Sequence, residues 1–211
     1  TYDKIDERKI TKIFNNTSEK EKAMNLQQIF DNTDFVHASG TKEELQVAEY
    51  LKGQCERLGV AAKIDGFRVA MGEIENAHLY ADGEEITCKA FTCCGSGSVE
   101  GELYYMPGTD AVSIAGAKDK IVLMDTQGIG FFTYQDLMKA GAKAILFQYG
   151  NMYYPQTDID QRDLREAVVG EERKVLCAMI HSSEAVKLVK NGAKQIKLEI
   201  EQKEYDGESH N

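Results

Sequence analysis

The chain has 211 residues, room for one large domain or two small ones, and its 42% hydrophobic and 28% charged residues are ordinary for a soluble globular protein. Its formal net charge is −10, and no lysine or arginine run is present, so neither nucleic acid nor an anionic membrane is an expected partner. No stretch approaches the roughly 18 consecutive apolar residues of a membrane helix, and the charged start TYDKIDERKITKIF does not read as a signal peptide; the compartment stays open.

The first 58 residues carry helical signals. Ser18-Glu19-Lys20-Glu21 is a capping box, in which a serine oxygen takes an orphan amide and the glutamate three places on reaches back. Leu26, Ile29 and Phe30 would follow as an apolar stripe that Asn32 and Thr33 interrupt. A second box, Thr41-Lys42-Glu43-Glu44, precedes Leu45, Ala48, Leu51, Cys55 and Leu58 at helical spacing, with Gly59 as C-terminal cap. The opposite face, with Lys42, Glu43, Glu49, Lys52 and Glu56, reads as solvated surface.

From Val60 to Leu123 the texture shifts to short apolar or alternating runs, AAKIDGFRV, NAHLYA, GELYYM and DKIVLMD, separated by turn residues, as expected for strands. Gly95-Ser96-Gly97-Ser98 lacks the lysine and helix of a phosphate loop and reads as a turn. Lys120 to Asp125 predicts a strand, TQGIGFF a loop, and Thr133 the cap of a helix with Asp136 at its third position and Leu137, Met138 and Ala140 facing inward. Gly141 would end that helix before a buried strand, Ala144 to Phe147, completing a parallel strand–helix–strand unit. Gly128-Ile129-Gly130 is too little for the dinucleotide fingerprint.

Asn151 to Glu172 reads as a long surface loop bearing Tyr153 and Tyr154. Val175 to Ile180 predicts a strand, Ser182 or Ser183 caps a helix that Gly192 ends, and Ile196, Leu198 and Ile200 alternate with charge in a half-buried strand. The tail YDGESHN completes no element in this reading.

Chemistry is hard to find along the chain. None of His37, His78, His181 and His210 has a second ligand at metal spacing, and His181, between a strand and a helix, reads as a hydrogen-bonded structural residue. No nucleophile motif is present. Five cysteines, Cys55, Cys88, Cys93, Cys94 and Cys177, make no complete disulfide framework. Cys88, Cys93 and Cys94 could in principle serve a metal or redox site but lack the paired half that zinc sites supply; structural thiols are the simpler reading. No catalytic, cofactor-binding or metal-ligating residue is assigned.

Residues 118–203 resemble the protease-associated (PA) domain, through KDKIVLMD, GFFTYQDLMKAGAKAILF, VLCAMIHSSEAVKLVKNGAK and QIKLEIEQK in that order. Residues 37–69, with Gly40-Thr41 opening a helix that ends in Leu58-Gly59, resemble the start of the catalytic domain in di-zinc aminopeptidases and glutamate-carboxypeptidase-like enzymes, where a PA domain is inserted before the chain returns to the peptidase sheet. Val36-His37-Ala38-Ser39 stands where that family often has an arginine, and the family's His-x-Asp zinc motif would lie beyond Asn211, so His210 is not that histidine.

The resemblance implies an α+β protein, with a PA-type β-sandwich or open barrel, short flanking helices and an N-terminal helical segment. It further implies peptidase residues at 1–86, a PA domain at 87–203 and a return to the peptidase domain at 204–211. On this reading the chain is a non-catalytic piece that holds no cofactor, two zinc ions belong to the parent enzyme, and peptide or protein substrate is met through that parent, with Phe131, Phe132, Tyr153 and Tyr154 facing substrate or partner. The alternative is a free-standing PA-type interaction module; oligomeric state is not legible.

Overall fold

The computed structural model describes residues 26–154, 158–164 and 174–211. The chain divides into two compact units, Thr1–Val69 with Asp206–Asn211, and Ala70–Tyr205. The capping box expected at Ser18–Glu21 lies outside the described residues.

In the first unit, α1 spans Leu26–Thr33 and α2 spans Lys42–Arg57. Thr41 caps α2 as expected, its hydroxyl accepting from the Glu44 amide at 3.3 Å. The reciprocal half of the box gives way to another partner, because the Glu44 carboxylate takes the amide of His210 and its Nδ1, each at 3.0 Å. Gly59, at φ +78°, follows the C-cap Leu58 in the left-handed geometry that glycine adopts without a Cβ penalty. Neither helix buries a single residue. The amphipathic stripe therefore exists, but Leu26 and Phe30 are 71% exposed and Leu51 40%.

The second unit is built on an eight-stranded sheet of order β2-β1-β8-β4-β5-β6-β7-β3. The strands are β1 Gly66–Ala81, β2 Glu84–Ile86, β3 Cys88–Ala90, β4 Gly97–Met106, β5 Lys120–Met124, β6 Ala144–Tyr149, β7 Leu176–His181 and β8 Gln195–His210. Strands β4 to β7 are mutually parallel; β2, β3 and the β4–β8 pair are antiparallel. Only Thr87 separates β2, at one edge of the order, from β3, at the other. Two residues of chain reach about 7 Å at most, so the edges must come together and the sheet curls into a nearly closed, barrel-like form.

Helices α3 (Ala111–Ala115), α4 (Phe131–Ala140) and α5 (Ser182–Asn191) complete the described elements. The chain is thus an α+β fold with five helices among the described residues. Its core follows the sequence pattern. The central parallel strands read as unbroken apolar runs because both faces are covered, and Ile121, Ile145, Leu146, Cys177 and Met179 are wholly buried. In β8 the alternation appears as expected, with Ile196, Leu198 and Ile200 buried and Lys197 paired with Glu199 at 2.8 Å on the outer face.

Four local expectations need correction. First, α4 starts at Phe131, with Gly130 as an N-cap lacking a side-chain bond, so Thr133 lies inside the first turn and Phe131 and Phe132 are helical rather than loop. Second, α5 is capped by His181 and not by a serine, its Nδ1 accepting from the Ser183 amide at 3.2 Å. Third, AAKIDGFRV and NAHLYA do not form two strands, because Gly66–Ala81 is one. Fourth, the tail completes an element after all: β8 continues to His210, and Asp65 and Asn211 exchange backbone hydrogen bonds of 2.9 Å beyond its end. Their common cause is that nonlocal partners, invisible to periodicity, decide each boundary.

Candidate crevice at the carboxyl ends of the parallel strands

Three parallel strands end side by side, and the residues just past each end converge. Asp125 follows β5, Gln148–Gly150 closes β6, and His181–Ser182 closes β7. The carboxyl edge of a parallel sheet is where α/β folds present their loops to ligands. Ser182 joins two of these ends, its hydroxyl donating to the carbonyls of Tyr149 and Gly150 at 3.0 Å each. Gly150 sits at φ +78°, and a Cβ there would stand 3.0 Å from His181 Nε2, so both backbone and space require glycine.

His181 is 7% exposed. Because Nδ1 accepts from the Ser183 amide, the neutral ring carries its hydrogen on Nε2. That Nε2 is buried without a hydrogen-bond partner among the described residues. Packed against Gly150, it positions the β6 and β7 ends and the start of α5 rather than facing solvent.

These ends border an open crevice of about 470 Å³, lined by Asp125, Thr126, Gln148, Asn151, Tyr153 and Ser182 among others. Gln148 donates from its side-chain amide to Asp125. An adjoining slot of about 270 Å³ is lined by Tyr105, Leu123, Ala185 and Val189, with Lys190 at its rim. Gln148 and Val186 line both, so the two are one continuous groove running along α5.

Of the four side chains expected to face substrate or partner, Tyr153 lines the crevice. Tyr154, 67% exposed, is not among its lining residues. Phe131 and Phe132 pack edge to face at 5.3 Å in the first turn of α4, and Phe132 is 80% exposed. Sequence reasoning missed Asp125, Gln148 and Ser182. The only available signal was their position immediately after apolar runs that read as parallel strands.

The cysteines are structural in setting. Cys93, Cys94 and Cys177 are buried, and all five cysteines are free. Burial pushes the Cys94 thiol up to about 11, and burial with the nearby Glu85 charge does the same for Cys88. Thiols held protonated are poor nucleophiles and poor metal ligands. Cys93 occupies a left-handed φ of 62°, fixed by the buried Gln202, whose Oε1 accepts from the Cys93 amide at 2.8 Å while Nε2 donates to the Gly95 carbonyl at 2.7 Å.

No protein family matches the chain, and no curated protein matches it. Solved structures do. An aminopeptidase from Aneurinibacillus sp. strain AM-1 superposes with a TM-score of 0.62 at 22% identity, over 87% of this chain and 45% of that one. BSAP, a zinc aminopeptidase from Bacillus subtilis, gives 0.60 at 17%, over 87% and 44%. A peptidase M28 precursor from Shewanella amazonensis SB2B gives 0.51 at 12%, over 88% and 48%. The shared property is the fold, and the chain spans less than half the length of these proteins.

The resemblance and these neighbours raise zinc. Among the described residues no group of three or more His, Cys, Asp or Glu side chains could hold a metal ion. The described residues therefore do not fit zinc. Nor is any described helix long and apolar enough to cross a membrane.

Proposed function

We propose that this chain is a non-catalytic portion of a zinc aminopeptidase, comprising a PA-type domain in Ala70–Tyr205 and the opening helices of the peptidase domain in the other unit, and that it shapes access to the parent's substrate cleft. One observation carries the reading. The second unit has a closed core, whereas α1 and α2 carry apolar side chains and bury none of them. An amphipathic helix whose apolar stripe is only partly covered offers a face for further packing. One further fact supports it. The fold is that of zinc aminopeptidases over less than half of their length.

The mechanism on this reading is steric and orienting. Aromatic side chains on the α4 start and the Asn151–Tyr154 turn present wide, rigid surface to a peptide. Selection by length follows, because a long peptide reaches such a surface and a dipeptide does not.

The experiment uses the longer polypeptide, carrying the peptidase domain. Replacing Tyr153 and Tyr154 together by alanine is expected to lower kcat/KM for peptides of six or more residues by about fivefold, with dipeptide turnover unchanged. Equal kcat/KM for wild type and variant at every peptide length would contradict the cleft-facing role.

A further inference from the structure

We propose that the groove along α5 is a binding site for a short extended peptide, held with its amino terminus at Asp125 and its carboxylate at Lys190. This builds on the peptide-handling reading above and adds the site, the ligand length and the direction.

The length comes from the helix that walls the groove. Ser182 stands at the crevice end and Lys190 at the slot end, eight residues apart, which at 1.5 Å per residue is about 12 Å. An extended peptide rises about 3.3 Å per residue, so three to four residues fill the groove.

The direction comes from charge. Asp125 lines the crevice, meets only the Gln148 amide, and has no cationic partner among the described residues. Lys190 rims the other end and makes no ion pair among the described residues. Two charges of opposite sign without ion-pair partners among the described residues, one in the crevice and one at the slot, match the amino and carboxyl termini of a peptide.

The chemistry between them fits as well. Gln148, whose side-chain amide donates to Asp125, lines both crevice and slot and brings amide hydrogen-bonding groups to their junction. Next to it, the slot between Tyr105, Leu123, Ala185 and Val189 is apolar and takes one aliphatic side chain near the ligand's carboxyl end. A nucleotide or a sugar supplies neither that charge pair nor the apolar group.

The test is a titration of the ¹⁵N-labelled 211-residue chain with the tetrapeptide Gly-Gly-Gly-Leu, followed by amide chemical shifts. Saturable shifts at Asp125, the Gln148 side-chain amide, Val186 and Lys190 are expected. The reversed peptide Leu-Gly-Gly-Gly and the N-acetylated peptide are expected to bind about tenfold more weakly, and Asp125→Asn about fivefold more weakly for the free peptide. Val186→Glu, at a half-buried helix position where folding is checked by an unchanged spectrum elsewhere, abolishes the shifts. Equal affinity for forward and reversed peptides, an unchanged affinity in Asp125→Asn, or no shift in the groove at about 10 mM peptide would overturn the proposal. Binding is read here without turnover, so a negative titration removes the groove and leaves the cleft-shaping reading standing, while failure of the kcat/KM test leaves the titration untouched.

Discussion

Glu44 carries the clearest electrostatic consequence of the fold. It sits in the first turn of α2, where a carboxylate already favours the helix dipole. Burial opposes its ionisation, but the hydrogen bonds from His210 side chain and backbone, with the His210 charge, outweigh it and hold the carboxyl below its ordinary value of 4.5. A carboxyl depressed in the folded state stabilises in full above its unfolded value and loses that contribution as pH falls through the folded one. Wild type should therefore melt above Glu44→Gln at neutral pH, and the gap should close as pH drops below about 4.5. Thermal melts between pH 3 and 7 check this, since a gap that stays constant down to pH 3 would mean the Glu44–His210 contact does not titrate as described. Sequence reasoning found Glu44 for the wrong reason. The capping-box pattern is local and legible, but the partner 166 residues away that takes its carboxylate is not.

Among the elements, the contrast lies between α2 and α4. Both are amphipathic, yet Leu137 of α4 is 0% exposed and Leu51 of α2 is 40% exposed. Truncating the first leaves a cavity, while truncating the second removes surface. In urea unfolding, Leu137→Ala is expected to cost roughly 2–5 kcal/mol and Leu51→Ala less than about 1 kcal/mol. Comparable losses would show that the Leu51 face of α2 is fully packed, against the reading of a partly exposed face. The elements that were legible are those whose cause is local. Gly141 and Gly192 end α4 and α5 in left-handed geometry as expected, and the apolar runs of β5, β6 and β7 are buried strands. The full lengths of β1 and β8 were not legible, because a strand of sixteen residues with a polar half is defined by its partner and not by its pattern. The groove was illegible for a similar reason. Its walls come from Tyr105, Asp125, Gln148 and the α5 face, brought together only when four parallel strands stand in register.

At the level of the whole molecule, two compact units share one chain. The second encloses its core within a sheet whose edges meet at Thr87. The first presents two helices and the outer ends of β1 and β8 with no buried helical residue. The fold is shared with zinc aminopeptidases over less than half of their length, and the function proposed above is that these residues supply shape and contacts while a parent enzyme supplies the metal chemistry. The most direct test is steady-state hydrolysis of leucine p-nitroanilide by the purified 211-residue chain in the presence of zinc. The account predicts a rate no different from zinc in buffer. Zinc-dependent turnover that scales with protein concentration would contradict it.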